Sequence, residues 1–281
     1  MRWATAADDA AVASVAQATG SAGECAGDDP RYLAHVRARG GLAVAVVEDE
    51  VVAYGGRSRT HGGVALTDLF VRSEHRAHGV GSLLLDTLWD EPAERLTFAS
   101  STPPAAAVYA RRGLRMLWPL LYLEGDPRTV PHNALSVEAV TPQVAGGHDA
   151  RWQQLHGAEA DALVSDYVFW GGRANGSTFV VRDGDDLVAV GALGGVDASY
   201  GLAHLVAADA DVAATAVLAA VRACSGPEQD RAACLVCVPG PSAAVESLLT
   251  AGFRIVDHDL HMATPGVRLD PLRMVLHPGL G

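Results

Sequence analysis

VRSEHRAHGVGSLLLDTL, residues 71–88, joins the end of a strand to the start of an amphipathic helix through a basic loop that contains Gly79 and Gly81. The amides that open a helix have no partner inside it, and the helix macrodipole adds positive potential there. Such a junction is a natural cradle for pyrophosphate. Glycine lets the backbone approach phosphate oxygens without a Cβ in the way. Arg76, three residues before Gly79, adds a cation at the same place.

Working outward, apolar alternation predicts strands at about 42–48, 51–58 and 64–71 before this junction. Ahead of them come a short strand at Arg2–Thr5, a helix over Asp8–Thr19 with Asp8 or Asp9 as its cap, and a helix over Pro30–Arg39. After the junction the pattern predicts a helix at 80–91, a strand at 95–100, a helix at 104–112, and strands at 115–118 and 120–124. The result is a mixed α/β (α+β) domain with a sheet-to-helix junction at its middle.

The same plan recurs at an offset of 136. VVEDEVVAYGG (46–56) has the form of VVRDGDDLVAVGA (180–192), with Gly55 opposite Gly191, and LTDLFV (66–71) falls opposite LAHLVA (202–207). YARRGLR (109–115) matches LLTAGFR (248–254) at an offset of 139. The expected organisation is a first domain at 1–125, a linker at 126–142 rich in Gly, Pro and polar residues, and a second domain at 143–281, with Ser136–Val140 able to restart a first strand. The tail from 257 is expected to add one strand and then cross the surface.

RAHGVG at 76–81 and the Tyr109/Gly113 pair in AVYARRGLR resemble two elements of the GNAT N-acetyltransferase superfamily: its acetyl-CoA loop, and a Tyr four residues before the Gly that opens the next strand. The resemblance covers residues 2–125 directly and the remainder through the repeat. The segment TFASSTPPAAAVYARRGLRMLWPLLYLEGD also resembles tandem-GNAT proteins of actinobacteria. It implies two tandem GNAT-like domains, each a mixed, mostly antiparallel sheet flanked by helices, with a splayed central strand. It further implies that Leu69, Phe70 and Val71 pair with the pantetheine arm of acetyl-CoA, and that Ala77, His78, Gly79, Val80, Gly81 and Ser82, with Arg76, hold its pyrophosphate. The Leu69 N–H would polarise the thioester carbonyl, and Tyr109 would act as general acid toward the CoA thiolate.

LTDLFV also resembles the strand of spermidine/spermine acetyltransferases, in which a Glu precedes the Asp. Thr67 stands in that position here and cannot act as a base, which leaves Asp68 as the candidate, direct or through water. Where the family often has an Asn seven residues before the Tyr, this chain has Thr102, whose hydroxyl can still donate to the cofactor arm. His61, His75 and His78 read as solvated loop residues.

The second copy reads as degenerate. Arg76, Gly79 and Gly81 fall opposite Val212, Thr215 and Val217, Asp209 and Asp211 bring negative charge to the loop, and Tyr109 falls opposite Leu248.

Composition narrows the partners. The net charge of -12 speaks against nucleic acid, which needs clustered cations, and residues 126–281 hold nine Arg against eighteen Asp and Glu, a balance suited to amines. No apolar run is long enough to predict a membrane span, and an Asp pair stands where a signal peptide would be apolar, so a cytoplasmic location is expected. Cys234 and Cys237 lie in an apolar strand pattern and read as core, and Asp257, His258, Asp259 and His261 read as charged strand ends, so no metal site is predicted.

The expected function is acetyl transfer from acetyl-CoA to an amine, a small molecule by preference, by direct attack in the first domain, with a homodimer possible. A non-catalytic acyl-CoA sensor and a protein N-acetyltransferase stay open as alternatives.

Overall fold

The computed structural model describes residues 1–20, 27–60, 63–100, 105–173, 176–196, 199–225 and 233–279. In chain order the first elements are β1 (Arg2–Trp3), α1 (Asp9–Thr19), α2 (Pro30–Arg39), β2 (Gly40–Val47), β3 (Glu50–Thr60), β4 (Gly63–Val71), α3 (Val80–Leu88), β5 (Glu94–Ser100), α4 (Ala105–Ala110) and β6 (Arg115–Gly125). They are followed by β7 (Ser136–Val140), α5 (Pro142–Trp152), α6 (Ala158–Gly171), β8 (Ser177–Asp183), β9 (Asp186–Val196), β10 (Ser199–Ala207), α7 (Ala210–Ala223), β11 (Cys234–Pro239), α8 (Ala244–Thr250), β12 (Arg254–Ala263) and β13 (Met274–Val275).

The chain divides into two compact units: Met1–Leu117 with His261–Arg268 and Pro278–Gly281, and Trp118–Leu260 with Leu269–His277. The division therefore runs through β6 and β12, whereas the sequence suggested contiguous domains with a break after 125. Within 126–142, Pro127–Thr129 forms a 3-10 turn, and Ser136–Val140 is the strand the repeat called for.

In the first unit the strands run β1-β2-β3-β4-β5, antiparallel except for the parallel β4–β5 pair. Leu42–Ala45 on β2 and Val51–Ser58 on β3 are buried without alternation, as strands covered on both faces must be. Helix α3 contributes Leu84, Leu85 and Leu88 to that core. Its C-terminal end is fixed by the buried Arg57, which donates to the Leu88 carbonyl at 2.7 Å and to Asp90 at 2.8 Å while stacking on Trp3. Helix α2 begins as its sequence directs, with Pro30 in its first turn and the Asp29 side chain accepting from the Arg31 amide. Asp8 does not cap α1 through its side chain. Its carboxylate instead accepts from the Thr5 amide at 2.8 Å and from two nitrogens of Arg2, tying β1 to the helix entry.

In the second unit the order is β6-β11-β10-β9-β8-β7, with β13 pairing on β10. The offset of 136 is exact for β3 and β9 and for β4 and β10. Cys224, Cys234 and Cys237 are buried, the first two in the apolar core. Burial pushes the Cys237 thiol out of the reactive range. Two predicted boundaries are corrected: 115–125 is one strand and not two, and α3 stops at Leu88. No helix among the described residues is long and apolar enough to cross a membrane, and no group of three or more His, Cys, Asp or Glu among them could hold a metal ion.

Both units carry the same irregularity. On β4, Asp68 pairs with Gly56 and Leu66 with Arg57, leaving Thr67 as a bulge. On β10, Leu202 pairs with Leu193 and His204 with Ala192, so Ala203 is the bulge at the repeat position. Gly56 makes room for the first: a Cβ there would lie 2.5 Å from Thr67 Oγ1 and 2.7 Å from Asp68 Oδ2. Gly56→Ala is therefore expected to destabilise the chain by about 1–3 kcal/mol in urea denaturation, the range for overpacking a tight site.

Candidate functional site

Strands β4 and β5 share pairing only from Gly63/Glu94 to Leu66/Thr97. Thr97 Oγ1 donates to the Leu66 carbonyl at 3.2 Å, and beyond that point the strands part. Leu69, Phe70 and Val71 remain in register with Gly55, Tyr54 and Ala53 on β3, but their other edge has no strand partner among the described residues. A strand edge left open beside a parallel neighbour can accept an extended ligand along its main chain.

The loop after β4 leaves main-chain amides open at a helix start. Arg76 Nε donates to the Val71 carbonyl at 2.9 Å, folding its side chain back on the strand end. Ala77 has φ 63° and Gly79, the N-cap of α3, has φ 81°. A left-handed backbone at a non-glycine residue is strained, and such strain collects at ligand clamps. No side chain caps α3, so its opening amides are left to solvent or a ligand. Residues 76–79 are exposed.

At the bulge, where β4 leaves β5, sits Asp68, only 2% exposed. Its Oδ2 accepts from the Tyr32 hydroxyl and from Thr67 Oγ1, both at 2.8 Å, while Oδ1 is buried with no partner among the described residues. Burial raises this carboxyl to about 6, against the two hydrogen bonds, which favour the ionised form. A carboxylate so poised can take a proton near neutral pH. The Gly279 carbonyl, 3.0 Å from the Tyr32 hydroxyl, is a second acceptor that shares its single hydrogen. Tyr109 is buried on α4, its ring edge-on to Trp89 at 6.1 Å between centroids.

Residues 38–114 match the family model of the acetyltransferase (GNAT) domain. The fold is that of a tandem GNAT protein. A Pyrococcus horikoshii protein classed as an acetyltransferase superposes with a TM-score of 0.75 at 12% identity, covering 100% of this chain and 95% of its own. A tandem GNAT protein from the clavulanic acid biosynthesis pathway gives 0.66 at 13% identity, over 95% and 98% of the two chains. A GCN5-related N-acetyltransferase from Sphaerobacter thermophilus gives 0.58 at 13%, over 95% and 96%. No curated protein matches the chain in sequence.

Within this GNAT unit the structure brings Asp68 and the open edge of Leu69–Val71 to one junction, followed directly by the loop of Arg76, Ala77, His78 and Gly79 and the helix start at Val80, Gly81 and Ser82. Thr102 lies outside the described residues. Tyr32 was missed from sequence, because a Tyr at the apolar spacing of α2 looks like core; only the fold shows that its hydroxyl reaches Asp68, 36 positions on.

The second unit has filled the cleft at the repeat position. Helix α7 begins at Ala210, six residues earlier than the repeat of α3 would, so the stretch opposite the phosphate loop is helical. Its N-terminal amides are taken: the Asp209 carboxylate accepts from Asp211 N at 3.0 Å and Val212 N at 3.2 Å. Strand β13 pairs with β10 at Leu205 and Val206, the repeats of Leu69 and Phe70. The tail does not simply cross the surface as expected, since Met274, Val275 and Leu276 are buried. Leu248, opposite Tyr109, is fully buried in the core.

Because native Asp68 holds a proton more tightly than the unfolded chain does, this group's contribution to stability is full at low pH and falls as pH rises through about 6. Carbon-detected NMR should find an Asp carboxyl titrating near 6, absent in Asp68→Asn. In Tyr32→Phe, which removes a bond to the ionised form, the midpoint should move higher.

Proposed function

We propose that the first unit transfers an acetyl group from acetyl-CoA to the amine of a small molecule by direct attack. The observation that carries this is Asp68, a buried carboxyl raised to about 6 with one oxygen unpartnered among the described residues, placed where β4 parts from β5. The open edge of Leu69–Val71 suits the pantetheine arm, and the uncapped α3 amides with the left-handed backbone at Ala77 and Gly79 suit two linked phosphates. Acetyl-CoA supplies the acetyl group as an activated thioester.

The chain's own residues then have distinct tasks. Leu69 N–H donates to the thioester oxygen as charge develops on it. Asp68 accepts, directly or through one water, the proton that the attacking nitrogen sheds as its bond to the carbonyl carbon forms. Tyr109 gives its hydroxyl proton to the sulfur as the carbon–sulfur bond breaks. Solvent then restores both groups, taking the proton from Asp68 and returning one to Tyr109. Arg76 through Ser82 grip the pyrophosphate, and Thr102 adds a donor to the cofactor arm. A nucleophile that must arrive uncharged matches a base working near neutrality better than a hydroxyl or a thiol would.

Thiol release from acetyl-CoA against a panel of small amines tests the proposal. Tyr109→Phe and Asp68→Asn should each lower kcat by about 10²–10⁴-fold, and Arg76→Ala should act mainly through KM. The low-pH limb of the wild-type profile should fall near 6 and be missing in Asp68→Asn. Asp68→Asn should leave the melting temperature at pH 7.5 unchanged or raised, since it removes a buried charge. CoA binding without turnover on any amine or peptide would overturn the transferase and leave a sensor.

CoA should titrate calorimetrically to one equivalent per chain, with Asp209→Ala leaving the stoichiometry unchanged. A second equivalent would show that the C-terminal cleft opens.

A further inference from the structure

The bulge of β10 carries His204 at the position that Asp68 holds on β4. His204 Nε2 lies 2.9 Å from Asp149 Oδ2 on α5. A carboxylate can only accept, so Nε2 carries the hydrogen and Nδ1 is the ring's other face. Asp149 is fully buried, and its carboxylate also accepts from the Tyr167 hydroxyl at 2.9 Å and from Gln153 Nε2. The Tyr167 ring stands at 87° to the imidazole, 5.6 Å between centroids, fixing its plane. Among the described residues the ring's hydrogen bond is the one from Nε2, and the His204 side chain is 12% exposed, which leaves Nδ1 open to a small ligand.

Four properties together go beyond packing. A buried carboxylate with an imidazole partner is expensive to desolvate, and an apolar pair of the same volume would be at least as stable. The Asp149 carboxylate is already supplied by Tyr167 and Gln153, so His204 is not needed merely to satisfy it. The bulge persists although the cofactor cleft beside it is filled by β13, so it has no pantetheine to serve here. In its neutral form the imidazole is held in one tautomer and one plane, with Nδ1 as an acceptor turned away from the carboxylate, an arrangement that recognises a hydrogen-bond donor.

We propose that the second unit holds a small-molecule site centred on His204 that binds a protonated amine without CoA, with Nδ1 accepting an ammonium N–H and the Asp149 carboxylate supplying the compensating charge. The charge balance of residues 126–281, nine Arg against eighteen Asp and Glu, favours a cationic ligand over an anion. No bond is made or broken there. The site is independent of acetyl transfer in the first unit.

The test is nitrogen-detected NMR on the full chain labelled at histidine, with the His204 signals assigned by their loss in His204→Gln. Ethylammonium chloride is titrated against sodium chloride at matched ionic strength and against sodium acetate. The expected result is a saturable movement of the His204 Nδ1 signal with ethylammonium alone, weakened on the order of tenfold in Asp149→Asn, the loss expected on removing a charge-assisted partner. Tyr167→Phe keeps both ring and carboxylate and should retain the response, so a failure of Asp149→Asn to fold does not leave the question open. No saturable movement in the wild-type chain, an equal movement with sodium chloride, or a response to acetate instead would each overturn the site and mark the Asp149–His204 pair as structural. Because the readout is the His204 signal, loss of acetyltransferase activity in the first unit would leave this result standing.

Discussion

Two parallel strands that stay paired for only four residues create everything else at the candidate site. After Leu66 and Thr97, β4 and β5 part, and the hydrogen-bonding edge of Leu69–Val71 is released without a strand to satisfy it. A buried edge must find partners or a ligand. The bulge at Thr67 sits at the point of parting and turns Asp68 into the interior, and Gly56 is bare because any side chain there would collide with that turn. Geometry and acid–base chemistry therefore have one origin. The same local distortion that opens the cleft also buries the carboxyl, and burial is what raises it toward neutrality.

The second unit shows how the same fold closes the cleft at its strand edge and helix start. Among the described residues its parallel pair is Gly201/Leu235 and Leu202/Val236, and the edge beyond it is taken by Met274 and Val275 of the same chain. Its helix start is satisfied by a carboxylate one residue before it. Peptide and Asp209 thus occupy the two places that the proposed function gives to pantetheine and pyrophosphate in the first unit. Both substitutions add intramolecular hydrogen bonds where an open cleft would leave orphans, so the degenerate copy gains satisfied polar groups as it loses its cofactor site.

What differs most between the units is the polar group at the bulge. In the first it is a carboxyl held by Tyr32 on α2, and in the second an imidazole held by Asp149 on α5 with Tyr167 on α6. The alignment of LTDLFV on LAHLVA already set His204 opposite Asp68. Its carboxylate partner lies 55 positions away and its tyrosine neighbour 37 positions away, so neither could be paired with it from the line of residues alone.

By itself the sequence determined the repeat, most element boundaries and the phosphate-type loop, because these are local. Periodicity sets strands and helices, glycine and proline punctuate them, and RAHGVG announces an anion cradle within six residues. It also showed the loss of that loop in the second copy. Only the tertiary structure decided that the division into compact units falls within β6 and β12, that the tail returns as β13 to pair with β10, and that Tyr32 meets Asp68. The left-handed backbone at Ala77 belongs to the same group, since alanine carries no signal for it. The physical reason is that these features depend on contacts between residues far apart in sequence, and on burial. Burial is a property of the assembled core, and it alone raises an ordinary aspartate carboxyl toward neutral pH.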